Sequence, residues 1–220
     1  MTEPTRLPHR SFEDERGASI VIALVFFLIC GIIGSVVVTA ASVQAKAAQT
    51  HIDLQQDEYT MQSAAELVAQ QLGGKVGVEE EVDGVTQEVV KNAVTIAVSY
   101  RGEDPVADVS QVYSQLGKSF WSKDRAETAL TQTVYIIGRT SERRIIIDPS
   151  TDNQLDRPVF AMITIDSDLN MTVELSLDNT LSPDSRYNMT VSIQCTPSYD
   201  IDGKLTAFSY GDNTVIEKSS

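Results

Sequence analysis

The chain has 220 residues, of which 17 are basic and 31 are acidic, and its formal net charge at pH 7 is −14. An excess of carboxylates repels the phosphates of nucleic acids and of anionic lipid head groups, so we expect no nucleic-acid partner. Apolar residues make up 42% of the chain, which is sufficient for the core of one globular domain.

The most apolar stretch, residues 18–41, contains no charged side chain, and 14 of its residues are Ile, Leu, Val or Phe. A helix rises about 1.5 Å per residue, so this stretch is long enough to cross a hydrocarbon core of about 30 Å. Insertion of the large apolar side chains is favourable by about 4 to 8 kcal/mol in total. The sequence therefore predicts a transmembrane helix over residues 18–42 and a single-pass membrane protein.

Basic residues predict the orientation of this helix. Arg6, Arg10 and Arg16 precede it, whereas Lys46 is the only lysine or arginine within about 20 residues after it. We therefore expect a cytoplasmic N-terminus and an extracellular C-terminal domain. Residues 1–17 are polar and show no apolar periodicity, so we interpret them as a disordered cytoplasmic leader.

The helical pattern continues beyond the apolar stretch. Apolar or small residues follow one face of a helix at Val43, Ala47, Leu54, Met61, Ala65, Val68 and Leu72. Polar residues that are compatible with a solvated helix face lie between them. Gly73 and Gly74 then predict the helix end, because glycine adopts the left-handed conformation without steric cost. We predict an amphipathic stem helix over residues 43–72.

Residues 75–220 are predicted to form a β-rich extracellular head domain. Two runs rich in valine flank Asp83 and Gly84, which is typical of a hairpin. Further strands are predicted over residues 93–100, 133–140, 143–148, 159–166, 170–177, 187–195 and 205–210. Val106, Val109, Tyr113, Leu116 and Phe120 recur at helical spacing and predict one short helix ending near Trp121. The fold class is therefore α+β: a long N-terminal transmembrane-plus-stem helix followed by a mostly antiparallel β head.

The junction between the leader and the apolar helix is the most informative motif. Residues 15–19 read Glu-Arg-Gly-Ala-Ser, and an uncharged helix follows them. A polar leader, a glycine, a transmembrane helix that continues as a stem and a β-rich head together resemble the type IV pilin-like superfamily of prepilins and pseudopilins. The resemblance covers residues 12–72. It implies that a prepilin peptidase cuts after Gly17 and leaves Ala18 as the new N-terminus.

One position distinguishes this chain from most members of that superfamily. They carry a glutamate at the fifth residue after the cut, and here Ile22 occupies that position. Minor pseudopilins also lack the glutamate, so the resemblance is to a minor pilin-like subunit of a surface filament or secretion apparatus. It implies that the partners are the membrane and other pilin-like subunits, which meet along residues 20–38 and the stem stripe within residues 43–72.

Small residues on neighbouring turns of the apolar helix predict a packing face. Gly31, Gly34 and Ser35 would let a second helix approach closely, and Gly31 and Ser35 have the small-xxx-small spacing. The alternative is the ordinary abundance of glycine in membrane helices.

Residues 166–170 are a weak calcium candidate. Asp166, Asp168 and Asn170 match the opening spacing of a calcium-binding loop. However, Met171 stands where the loop requires glycine, and Leu177 stands where it requires a bidentate glutamate. A hairpin turn between two strands is the simpler interpretation, and residues 200–203 are interpreted as a turn in the same way.

Few residues are available for enzyme chemistry. The histidine and cysteine that follow the predicted span are His51 and Cys195, and Cys30 lies within the span, where it cannot pair with Cys195. We therefore expect neither a catalytic site nor a cofactor or metal centre. The main alternative to a filament subunit is a membrane-anchored extracellular binding or sensor domain with an uncleaved anchor, and an enzyme is the third choice.

Overall fold

The computed structural model describes residues 13–82, 84–147, 157–183, 185, 187–211 and 213–218, except for the side chains of residues 13–18 and 82. It contains a long N-terminal helix followed by an antiparallel β-rich domain, which confirms the predicted α+β fold class. Contacts divide the chain into two compact units, Met1–Asp53 and Leu54–Ser220. Helix α1, Glu13–Gly73, begins in the first unit and ends in the second.

Helix α1 begins earlier than the sequence predicts. Residues 13–17 are helical, although they fall in the leader that we expected to be disordered. From residue 19 to Asp53 every side chain of α1 is exposed. Residues 1–12 of the predicted leader lie outside the described part of the chain.

The described residues of the second unit form twelve strands, two further α-helices, α2 (Gln115–Phe120) and α3 (Lys123–Thr131), and a short 3-10 turn at Ser141–Arg143. In chain order the strands are β1 (Lys75–Val82), β2 (Val85–Asn92), β3 (Val94–Arg101), β4 (Asp104–Asp108), β5 (Tyr135–Ile137), β6 (Ile145–Ile147), β7 (Val159–Ile165), β8 (Met171–Ser176), β9 (Met189–Ile193), β10 (Thr196–Tyr199), β11 (Leu205–Tyr210) and β12 (Thr214–Lys218).

The strand pairs that the structure describes are all antiparallel, and they form three sheets. Strands β1 and β2 make the predicted hairpin, in which Gly84 has a φ of +79°. A four-stranded sheet has the order β10-β11-β3-β4. A six-stranded sheet has the order β12-β9-β8-β7-β5, with β6 also paired to β7. Strand β7 alternates strictly between buried and half-buried residues, so its apolar side chains share one face of the sheet.

The core of the second unit lies between the end of α1 and these sheets. The last turns of α1 contribute Met61, Ala65, Val68 and Leu72, each no more than 1% exposed. Trp121 packs against Phe208 and Tyr210 of β11 in an aromatic cluster. The second half of the apolar stripe predicted for the stem is therefore buried against the head of the same chain.

The helix ends at Gly73, as predicted, but for a different reason. Neither Gly73 nor Gly74 has a positive φ. A Cβ atom on Gly73 would overlap the Thr214 hydroxyl and the Ile193 side chain. The Thr214 hydroxyl donates a hydrogen bond to the Gly73 carbonyl at 3.0 Å. Glycine is thus required for close approach of the helix end to β9 and β12, and not for a left-handed turn.

The predicted helix before Trp121 is only partly correct. Residues 115–120 form α2, but the chain turns at Gly102, which has a φ of +70°, and residues 104–108 return as strand β4 beside β3. Pro105 is tolerated there because β4 is an edge strand. Helix α3 and strands β4, β10 and β12 were not predicted.

Candidate membrane-spanning and helix-packing segment

Helix α1 is the one helix in the described part of the chain that is long and apolar enough to cross a membrane. Its large apolar side chains cover every face; for example, Phe27 is 79% exposed and Ile22 is 68% exposed. A helix that is apolar all round does not match the pattern of a helix on the surface of a soluble domain, which is apolar on one face only. This supports the predicted single membrane span.

The predicted processing site lies in the same helix. The backbones of Gly17 and Ala18 are helical, within the first turns of α1. Their surroundings lie outside the described side chains, so cleavage after Gly17 stays a prediction.

The predicted packing residues form a small, exposed surface in this single chain. A Cβ atom on Gly31 or Gly34 would meet nothing within 4 Å. The Ser35 hydroxyl donates to the Ile32 carbonyl at 2.8 Å, so its donor is satisfied within the helix and does not oppose burial in lipid or against another helix. The surface is free for a partner helix, and the contact itself stays a prediction.

The stem contributes less contact surface than the sequence suggested. Met61, Ala65, Val68 and Leu72 are covered by the head of the same chain, so they are not available to neighbouring subunits. A contact between subunits along the stripe of residues 43–72 stays a prediction, and in this structure only the first half of that stripe is exposed for it. Val43, which is 63% exposed, belongs to the part that stays open.

The weak calcium candidate is a hairpin turn between β7 and β8. Asp166 Oδ1 accepts hydrogen bonds from the backbone N–H groups of Asp168 and Asn170, both at 2.9 Å. The Asn170 side chain donates to Asp166 Oδ2 at 3.2 Å. The Asp166 carboxylate therefore stabilises the turn, as the hairpin interpretation predicts. Residues 200–203 likewise form a turn, in which Asp200 Oδ1 accepts from two backbone N–H groups.

The cysteine of the head is buried and protected. Cys195 is 7% exposed, and burial, followed by the negative charge of Asp166, raises the pKa of its thiol to about 12. A thiol with that pKa is almost entirely protonated at neutral pH and is a poor nucleophile. His51 is exposed on α1. Among the described residues no group of three or more His, Cys, Asp or Glu side chains could hold a metal ion.

A groove of about 630 Å³ in the head is a second candidate site that sequence reasoning missed. Its residues come from four separate segments: the end of α3, the β7–β8 turn, the β9–β10 junction with β10, and the start of β11. We call its exposed lining residues, which include Gln132, Asp168 and Tyr199, the rim, and its buried ones, which include Leu169 and Cys195, the floor. No local motif in the sequence connects these segments.

Comparison of the chain with protein-family models, with curated proteins and with solved structures found no match. Its function is therefore inferred from its own residues and geometry.

Proposed function

We propose that this protein is a minor pilin-like, or pseudopilin-like, structural subunit of a surface filament or secretion apparatus. It is held in the membrane by the apolar part of α1, with its N-terminus in the cytoplasm and its head outside the cell. A prepilin peptidase removes the leader after Gly17. Neighbouring pilin-like subunits pack against the apolar part of the helix, where Gly31, Gly34 and Ser35 allow close approach.

The observation that carries the proposal is the construction of α1. One helix runs from Glu13 to Gly73 without a break. Its side chains from residue 19 to Asp53 are exposed, whereas its last turns are buried in a β-rich head. A simple membrane anchor needs only about 20 apolar residues and a flexible connection. A helix that continues past the apolar stretch and ends in the core of the head is more than an anchor needs, and this transmembrane-plus-stem construction is what the resemblance to pilin-like subunits implies.

Ile22 makes the proposal more specific. The side chain is apolar and 68% exposed, so this position has no carboxylate to pair with the N-terminal amine of a neighbour. A carboxylate there would cost about 2.5 to 3.5 kcal/mol on insertion unless it were paired. The absence of that group favours a minor subunit over a major pilin.

The experiment that tests the proposal is a mass measurement with N-terminal sequencing of the protein from its native membrane. We expect an N-terminus at Ala18. The variant Gly17→Leu should retain the leader and should be excluded from filaments or from the secretion apparatus. Gly31→Leu is the matched control for cleavage, because it changes a glycine of the same helix far from the cut and should be processed normally. An intact leader on the native protein would contradict the proposal.

A membrane-anchored extracellular binding domain is the second candidate function. The groove in the head favours it, because a concave site in an anchored domain needs no filament in order to act. This function predicts an intact N-terminus and normal activity in the Gly17→Leu variant, so the same measurement separates the two.

A further inference from the structure

We propose that the groove in the head binds an uncharged, polyhydroxylated ligand of the size of a short oligosaccharide. All of its lining residues lie between Ala129 and Leu205, so the inference holds whether or not the chain enters a filament. Its volume of about 630 Å³ falls within the range of about 300 to 1,000 Å³ that is typical of small-molecule sites.

The groove has an apolar floor. Ala129, Leu169 and Cys195 are buried, and Leu130 and Leu205 are half-buried beside them. The Cys195 thiol stays protonated at neutral pH because its pKa is raised to about 12, so the floor carries no charge from it. Such a floor suits the C–H face of a sugar ring and offers nothing to an ionic group.

The rim consists mainly of neutral hydrogen-bonding groups. Gln132, Thr133, Ser167 and Gln194 are exposed there, and Asp168 adds one carboxylate. Amides both donate and accept, hydroxyls do the same, and a carboxylate only accepts. Sugar hydroxyls also donate and accept, so they match this set, and the exposed ring of Tyr199 provides a surface for stacking.

The charges around the groove oppose an anionic ligand. No lysine, arginine or histidine is among the described residues that line it. Lys204 precedes a lining residue, but its ammonium lies over the Tyr100 ring, 5.4 Å from the centroid. The chain as a whole has a net charge of −14, which adds to the repulsion. Phosphorylated and acidic saccharides are therefore disfavoured.

The strand beside the groove is poorly suited to bind an extended peptide as an added strand. Strand β10 is at the edge of its sheet, but Pro197 has no N–H group to donate. The register also shifts between Ser198 and Tyr199, which disturbs the spacing of the backbone groups. Side chains, rather than a strand edge, are the binding groups that the groove offers.

Two hydrogen bonds hold the wall of the groove together. The Asn170 side chain accepts a hydrogen bond from the Cys195 N–H at 3.0 Å, which joins the β7–β8 turn to the start of β10. The Tyr210 hydroxyl donates to the Leu169 carbonyl at 2.7 Å and holds the same turn from the other side. Binding therefore requires little ordering of the protein, which favours affinity.

The test uses the full chain in lipid nanodiscs, because detergents with sugar head groups would compete. Saturation-transfer NMR is recorded with maltotriose, cellotriose and chitotriose, and with sialyllactose as an anionic comparison. We expect transfer to at least one neutral trisaccharide and none to sialyllactose. Tyr199→Ala should weaken that binding about tenfold, because it removes the stacking surface.

Tyr59→Ala is the matched control, since Tyr59 is an exposed tyrosine outside the groove, and it should bind as the parent does. Equal denaturation midpoints show that both variants are folded. The proposal is overturned if no neutral trisaccharide binds, if Tyr199→Ala binds as tightly as Tyr59→Ala, or if a peptide of alternating valine and threonine binds in the groove instead.

Discussion

The two parts of helix α1 use apolar residues in opposite ways. From residue 20 to residue 38 the helix is dense in large apolar side chains, and all of them are exposed. From Leu54 to Gly73 large apolar residues are fewer, and Met61, Val68 and Leu72 are almost completely buried. Along one continuous helix, the part with more large apolar side chains is therefore the exposed part, and the part with fewer is the buried part.

This reversal indicates in which part of the helix the apolar side chains are buried by the chain itself. Large exposed apolar patches on a protein are typical of membrane or protein contact sites. The second part is complete without any partner, because the sheets of the head already cover its stripe. Substitutions in the two parts should therefore change different measurements, and this difference can be tested.

The largest expected effect is on membrane insertion. The double variant Phe26→Arg with Ile33→Arg should cost about 5 to 7 kcal/mol on insertion, against the 4 to 8 kcal/mol or so that favours the span. We expect most of the protein to leave the membrane fraction, as measured by alkaline extraction. The matched control, Phe26→Ala with Ile33→Ala, should stay in the membrane, and equal extraction of the two variants would argue against a span.

Core truncation in the second part of the helix should destabilise the head. Met61→Ala removes a fully buried side chain and should lower the free energy of unfolding by about 2 to 5 kcal/mol. Trp121, the one tryptophan of the chain, is buried in the head and reports its unfolding in urea. Phe27→Ala is the control and should change this value by less than about 0.5 kcal/mol. Similar losses in both variants would mean that the two parts are not independent.

The glycines of the two parts should also differ. Gly73→Ala should destabilise the head by about 1 to 3 kcal/mol, because the added Cβ would overlap Thr214 and Ile193. Gly31→Ala meets no atom within 4 Å, so urea unfolding of the head should be unchanged. A Gly73→Ala variant with an unchanged free energy of unfolding would show that the helix end is not closely packed against Thr214 and Ile193.

The smallest effect concerns alkaline pH. The Cys195 thiol has a folded-state pKa of about 12, above the value near 8.5 of an exposed thiol, so the folded state keeps its proton longer. Its contribution to stability is therefore complete below about pH 8.5 and is lost as the pH rises toward about 12. Burial raises the pKa of Tyr210 as well, and its contribution is lost in the same direction.

Cys195→Ala should lose less stability between pH 8 and pH 10.5 than the parent does. The loss that remains in the variant is the part due to Tyr210. Urea midpoints at the two pH values measure the difference. Identical pH profiles of stability for the variant and the parent would contradict a contribution from the raised pKa of Cys195.

Strong local patterns made most of the strands predictable. The valine-rich runs around Asp83 and Gly84 gave the β1–β2 hairpin, and the alternation in residues 159–166 gave β7. Helix α3 was missed because its sequence is mainly polar and buries only Ala126 and Ala129. Its N-cap, Ser122, accepts from the Arg125 N–H at 3.3 Å and was the available signal. Strand β12 is short and largely exposed, so tertiary pairing with β9 decides its conformation.

The two candidate sites also differ in how far their residues could be predicted from local sequence patterns. The membrane-spanning and packing residues belong to one continuous segment, so periodicity and composition were sufficient to propose them. The groove combines residues as distant in sequence as Gln132, Asp168 and Tyr199. Their proximity depends on the order of strands in two sheets, which no local pattern specifies.

Two carbonyl groups in the last turn of α1 accept hydrogen bonds from side chains elsewhere in the head. The Gly73 carbonyl accepts from the Thr214 hydroxyl, which belongs to the six-stranded sheet. The Gln71 carbonyl accepts a hydrogen bond from the hydroxyl of Ser114, which caps α2. Two residues before Ser114, Val112 forms a β-bridge with Val94 of the four-stranded sheet. A mechanical pull on α1 is therefore shared between both sheets at once. We therefore expect that detaching the end of the helix breaks one contact on the side of each sheet.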